Sequence, residues 1–276
     1  MSHDLELELA KAKAIFAYNA ASDYFDHPVA SFWHRFGQRT VERLDIQPSQ
    51  TILDVCCGSG SSALPAAQAV GPTGRVAAID LADKLIELGR AKASAKGLTN
   101  IEFQARDMLS LGYPDESFDT VICVFGIFFV PEMVTATKEL WRMVRKGGTL
   151  AITTWGPNLF EPANDVFWKS IKDVRPDLVG KFNPWERVSD CLSLTAMLSE
   201  AGAENIEVSI EPSLSEIGSA EDWWAIAMGS GYRGTLEKLD KSDFDYVREC
   251  NLRNLTQLGV KAIETNVLYA TAIKSN

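Results

Sequence analysis

Positive charge is scarce in this 276-residue sequence: 27 Lys and Arg stand against 37 Asp and Glu, giving a net charge of -10 and a pI near 4.9. Without a basic stripe the chain has nothing to meet a nucleic-acid backbone or an anionic membrane surface, and a neutral or cationic small ligand fits better. No apolar run approaches the roughly 18 to 20 residues that cross a bilayer. The start, Met1-Ser-His-Asp-Leu-Glu, has neither the basic nor the apolar region of a secretion signal. A cytoplasmic protein without stable membrane insertion or nucleic-acid partner is expected. The five cysteines, Cys56, Cys57, Cys123, Cys191 and Cys250, form an odd set with no C-x-x-C pair, which suggests neither a disulfide framework nor a zinc site. Adjacent Cys56 and Cys57 would bridge only with strain. Histidine is limited to His3, His27 and His34, so few imidazole bases are on offer.

What is present is an ordinary globular composition, 46% hydrophobic and 23% charged, in a chain long enough for one large α/β domain with insertions. Short β-branched runs at 51–56, 74–80, 100–105, 118–124 and 149–155 alternate with helical stretches near 61–70, 82–96 and 132–144. That alternation predicts a doubly wound, mostly parallel sheet with right-handed crossovers and ligand sites beyond the C-terminal strand ends. Runs at 205–210 and 267–273 add a closing antiparallel pair separated by about 55 residues of helical pattern, an insertion before the last strand. Residues 1–45 read as an N-terminal helical lid and 46–276 as the main domain. The irregular stretch 156–192 and the insertion 212–260 lie on its substrate side.

The segment Thr51-Ile-Leu-Asp-Val-Cys-Cys-Gly-Ser-Gly-Ser-Ser-Ala63 carries the most information. Ile52, Leu53 and Val55 supply a buried strand, and Gly58 and Gly60 let backbone approach a ligand at a helix N-terminus. Gly58-Ser59-Gly60-Ser-Ser-Ala63 satisfies G-x-G-x-x-A and on its own would also suit an NAD(P)-dependent oxidoreductase. Asp54, four residues before Gly58, disfavours a pyrophosphate and suits a ligand that carries positive charge. Asp80 ends the next apolar strand, twenty positions beyond Gly60. There a carboxylate accepts from ribose hydroxyls or, on the blander reading, caps a helix.

With these residues the chain resembles the class I S-adenosylmethionine-dependent methyltransferases, nearest their small-molecule branch of ubiquinone/menaquinone C-methyltransferase-like proteins. The likeness is good over about residues 18–155. Ile52-Leu-Asp-Val-Cys-Cys-Gly-Ser-Gly60 matches the first motif, except that Cys56 stands where Gly or Ala is usual. Val76-Ala-Ala-Ile-Asp80-Leu81 is the second motif and Phe103-Gln-Ala-Arg-Asp107-Met108 the third. The resemblance implies S-adenosylmethionine as cofactor, leaving S-adenosylhomocysteine. Asp54, Cys56, Gly58, Ser59 and Gly60 would form the turn, and Asp80 would hold the ribose with Leu81 on the adenine. Asp107 would take the adenine amino group with Met108 beside the ring, and Phe125 and Tyr18 would cover the cofactor.

Methyl transfer is an in-line displacement, dominated by positioning the acceptor and excluding water, and a general base is needed only for some acceptors. In the loop after the fourth strand, related sequences often carry polar residues or histidine where Phe128 and Phe129 stand. With Trp155 and Trp224 these predict a pocket for a small apolar or aromatic acceptor. His27 and His34 flank a loop that could cover the site and are the imidazole bases near it, and Tyr24 is a lid residue beside them; His27 and Tyr24 are the candidate acid–base residues. A catalytically silent partner protein with the same fold is the remaining alternative. The aromatic insertion suits a pocket or a homodimer contact equally.

Overall fold

The computed structural model describes residues 3–180 and 183–276; the side chains of His3 and Asp4 lie outside the described part. The chain opens with α1 (His3–Ala21) and α2 (Phe32–Glu42), followed by β1 (Thr51–Val55), α3 (Ala63–Val70), β2 (Arg75–Asp80), α4 (Asp83–Ala95) and β3 (Ile101–Ala105). It continues through β4 (Phe118–Val124), α5 (Met133–Met143), β5 (Val144–Trp155), α6 (Ala163–Val174), α7 (Cys191–Glu200) and β6 (Ile206–Glu211). The last part is β7 (Leu214–Glu216), α8 (Ala220–Met228), α9 (Arg233–Leu236), α10 (Lys241–Leu258), β8 (Ala262–Glu264) and β9 (Val267–Ile273).

Seven strands form one sheet in the order β3-β2-β1-β4-β5-β9-β6, parallel from β3 to β5 and antiparallel where β9 enters between β5 and β6. This is the doubly wound, mostly parallel architecture expected, with the helical insertion α8–α10 before the last strand. In β1 the alternation of side chains sends Ile52 to one apolar cluster and Leu53 and Val55 to the other, so the strand is buried on both faces. Because strand order reverses between β1 and β4, the crevice beyond their C-terminal ends is where a ligand is accommodated.

Two features differ from the expected pattern. β5 starts at Val144, five residues before the run at 149–155, and its pairing with β4 shifts register between Phe118 and Thr120. Strands β7 and β8 pair as a separate antiparallel ribbon of three residues each, too short to leave a periodic signal. The N-terminal segment also divides. Helix α2 is built into the core through buried Phe32 and Phe36, and a buried Thr40–Thr153 hydroxyl pair at 2.8 Å ties it to β5. Helix α1 is fastened across the strand ends by polar links, Asn19 Nδ2 donating to Asp83 at 2.5 Å and Lys11 paired with Asp107 at 2.6 Å.

Candidate functional site

The turn after β1 begins with a non-glycine residue in left-handed conformation, Cys56 at φ 59°, followed by Gly58 at φ 53° and Gly60 at φ 92°. Such a conformation is strained for cysteine and free for glycine. The Cys56 side chain fits because Gly126 faces it: a Cβ at Gly126 would lie 2.3 Å from Cys56 Cβ. Its sulfur sits 3.8 Å from Met108 Sδ. The Cys123 thiol beside it and burial hold its pKa well above the ordinary thiol range, so it stays a neutral wall group.

Two carboxylates brace this turn. Asp80 accepts from the backbone N–H of Gly58 and of Ala82, both at 2.8 Å, so the expected ribose ligand and the expected helix-start cap are one side chain. Burial raises its pKa while those amides pull it back. Asp54 is fully buried; one oxygen accepts from Ser62 Oγ at 2.6 Å and the other has no partner. Burial pushes its pKa up to about 7, against the Ser62 hydrogen bond. An orphaned carboxylate oxygen of this kind calls for a donor or a positive charge.

Above the turn lies a cavity with about 970 Å³ of atom-free space, part of it open to solvent. Cys56, Gly58, Asp80, Leu81, Asp107, Met108, Phe125 and Tyr18 line it, so eight of the expected cofactor residues come together. Ser61 and Ser62 add the N-terminus of α3, whose dipole suits a carboxylate. Asp54, Ser59 and Gly60 do not reach the cavity. Asp54 stands behind Ser62, and Gly60 is packed against Leu64 and Phe103. Ser59 Oγ is engaged by Asp26 at 2.8 Å and by Lys92 at 2.7 Å, which pins the segment after α1 to the turn. Asp107 already holds Lys11 and the amide of Leu109.

A second cavity, about 1690 Å³ and likewise partly open, adjoins the first. Phe128, Phe129, Trp155, Phe160, Trp168 and Trp185 give it an aromatic wall. Tyr18, Trp33 and Phe129 line both cavities and so frame their junction. Phe125 on one side stacks on Trp155 on the other, with centroids 3.9 Å apart and planes at 13°, making a partition two rings thick.

Three further expected site residues fall elsewhere. Tyr24 and His27 line neither cavity. They stack on each other at 6.0 Å in the turn after α1, where Tyr24 backbone meets Gly229 and His27 Nδ1 accepts from Val29 N–H to cap the next 3₁₀ turn. Acid–base duty does not fit those positions. Trp224 is buried against Phe244 at 5.5 Å, because the insertion turns that face of α8 into its own helix packing. Conversely Trp33, Lys11 and Arg106 line the cofactor-side cavity without having been expected. The close aromatics Phe32, Trp33 and Phe36 were the available signal for the first; nothing local distinguishes Lys11.

A model of the ubiE/COQ5 methyltransferase family matches residues 10–182 of this sequence, more than half of it. The chain belongs to the ubiE/COQ5 methyltransferase family. Among relatives, it is 35% identical to the demethylmenaquinone methyltransferase of Geobacillus kaustophilus over 127 residues, covering 46% of this chain and 54% of that protein. The chain thus spans about half the length of that relative. To the demethylmenaquinone methyltransferase of Bacillus cytotoxicus it is 29% identical over 206 residues, 69% of this chain and 87% of the other. A SAM dependent methyltransferase from Aquifex aeolicus superposes with a TM-score of 0.51 at 22% identity, over 72% of this chain and 93% of that one. Haemonchus contortus phosphoethanolamine N-methyltransferase 2, solved with S-adenosyl-L-methionine, gives 0.55 at 14%, over 93% and 60%. These two likenesses are ones of fold. The residues of the first cavity fit the family's cofactor, S-adenosylmethionine: the carboxylates of Asp80 and Asp107 and a wall bearing the Cys56 and Met108 sulfurs suit a phosphate-free cation, with the orphaned Asp54 oxygen behind Ser62.

Proposed function

We propose that this protein transfers a methyl group from S-adenosylmethionine to a small, apolar, aromatic acceptor of quinol-like chemistry. The observation that carries the reading is the junction of the two cavities: an acid-bearing chamber and an aromatic one share Tyr18, Trp33 and Phe129 in their walls.

When bound, S-adenosylmethionine supplies a methyl carbon activated by a sulfonium. Asp80, with its oxygens already ordered by Gly58 and Ala82, would hold the ribose hydroxyls, and Leu81 and Met108 would pack beside the adenine. Asp107 would take the adenine amino group, sharing its carboxylate with Lys11. Tyr18, Trp33 and Phe129 place ring surfaces where a cation is favoured and water is excluded. Phe128, Trp155 and Phe160 would hold the acceptor ring, which orients its nucleophile toward the first chamber. No helix among the described residues is long and apolar enough to cross a membrane, and no cluster there could hold a metal ion.

Two assays test the reading. S-adenosylhomocysteine should raise the melting temperature and NAD(P) should not; the reverse would restore the oxidoreductase alternative. A donor labelled in its methyl group should pass label to reduced naphthoquinones or phenols. Tight product binding without transfer to any acceptor would favour the silent-partner reading.

A further inference from the structure

Tyr18 is the sole hydroxyl-bearing residue among those that line both cavities. It projects from α1, which is fastened at mid-length by Lys11 on Asp107 and near its C-terminal end by Asn19 on Asp83. The ring is set edge-on against Phe129 at 5.4 Å and Phe25 at 6.2 Å. Its hydroxyl points toward the backbone of Gly231, where a Cβ would lie 3.7 Å away, in the wall of the aromatic cavity. Among the described residues that hydroxyl has no hydrogen-bond partner. The other phenol of the aromatic cavity, Tyr232, is committed: its hydroxyl donates to Asn164 Oδ1 at 2.6 Å.

The surroundings decide what Tyr18 can do. Burial, then the nearby charge of Asp80, raise its pKa, so the phenol keeps its proton and can donate but not act as a base. The remaining titratable groups toward it are Lys11 on its own helix, Asp23 in the turn after it, Asp83 at the start of α4, and Tyr232 with Arg233 from the insertion. Lys11 is occupied by Asp107, Arg233 by Glu237 and Asp23, and Asp83 by Asn19. No free base stands at the junction among the described residues.

We propose that the Tyr18 hydroxyl donates a hydrogen bond to an oxygen of the acceptor, and that the acceptor is taken as its oxyanion rather than deprotonated on the enzyme. This rests on the methyltransferase reading and names what that site selects. In the step the acceptor's nucleophilic atom forms a bond to the methyl carbon and the carbon–sulfur bond breaks, its electron pair remaining on sulfur. The acceptor's O–H proton has already left to solvent; where a ring carbon attacks, the proton on that carbon leaves to solvent after transfer as the ring regains its aromaticity, so no side chain need receive either.

The test measures binding to the protein loaded with S-adenosylhomocysteine, using a nitronaphthol at a pH where it is ionised and its methyl ether as the matched control. The wild type should bind the naphtholate about tenfold tighter than the ether, the size of a hydrogen bond to a charged group. Tyr18→Phe, which keeps the ring packing on Phe25 and Phe129, should remove the preference when both ligands are measured on protein saturated with S-adenosylhomocysteine. Three results would overturn the proposal: no preference in the wild type, a preference that survives in Tyr18→Phe, or a preference removed by Tyr232→Phe instead. Failure of the wild type to bind S-adenosylhomocysteine would bring down the methyltransferase reading itself, and this assignment with it.

Discussion

The two chambers that meet at Tyr18 are made by different means. The cofactor-side chamber is built at the ends of three neighbouring strands, where Cys56, Asp80 and Asp107 follow β1, β2 and β3. Its polar atoms are ordered by backbone amides of the same turns. The aromatic chamber borrows walls from α1, the β4–α5 loop, the 156–192 stretch and the insertion, parts distant in sequence. The first is fixed by strand geometry, the second by tertiary packing of side chains. Changes to the first should therefore alter ligand affinity with little loss of fold, and changes to the second should alter fold and acceptor choice together.

Their shared partition gives the largest expected effect. Trp155 is 3% exposed and stacked on Phe125, so Trp155→Ala should cost about 3 to 5 kcal/mol and lower the melting temperature by roughly 10 °C. It should also merge the chambers, letting bulkier acceptors compete. A melting curve unchanged within a degree or two would deny that the stack is a structural wall. On the cofactor side, Asp80→Ala removes a carboxylate that holds two backbone amides. S-adenosylhomocysteine affinity measured by calorimetry should fall by about a hundredfold, near 3 kcal/mol. Retained affinity would show that the turn is set by its glycines alone.

Asp54 offers a sign. Its native pKa of about 7 lies above the ordinary value of 3.8, so between those limits the unfolded chain has released a proton that the native state keeps. Stability of the free protein from this group is therefore present at low pH and falls as pH rises from about 4 through 7, with Asp80 acting in the same direction. Denaturant midpoints compared at several pH values should show that decline, flattened in Asp54→Asn. A steeper decline in the variant would contradict the burial argument. The smallest effect concerns Cys56. Cys56→Gly relieves the left-handed cysteine and should stabilise by up to about 1 kcal/mol, less whatever the contact with Met108 contributes.

The same division explains what was legible in the sequence. Strand order and the cofactor-side residues follow from short-range patterns: an apolar run, an acid at its end, glycines in a turn. That is why Asp80, Asp107, Leu81 and Met108 come to one cavity. Ser59 was misread because its partners, Asp26 and Lys92, are 33 residues away on either side. Trp224 and Trp155 look alike in sequence, yet the first is consumed by packing inside the insertion and the second reaches the cavity. His27 stands next to a proline-led 3₁₀ turn that needs a cap, a local duty that outweighs its proximity in sequence to the lid. Trp33 escaped notice because α2 reads as part of a lid, whereas it is built into the core beside β5.

The most direct measurement is a crystal structure of the protein with S-adenosylhomocysteine bound. The ribose should lie on Asp80 and the adenine between Leu81 and Met108, with the sulfur at the junction framed by Tyr18, Trp33 and Phe129 and facing the aromatic chamber. A product molecule whose sulfur points away from that junction, or one bound outside the cavity above the Cys56 turn, would contradict the two-chamber account.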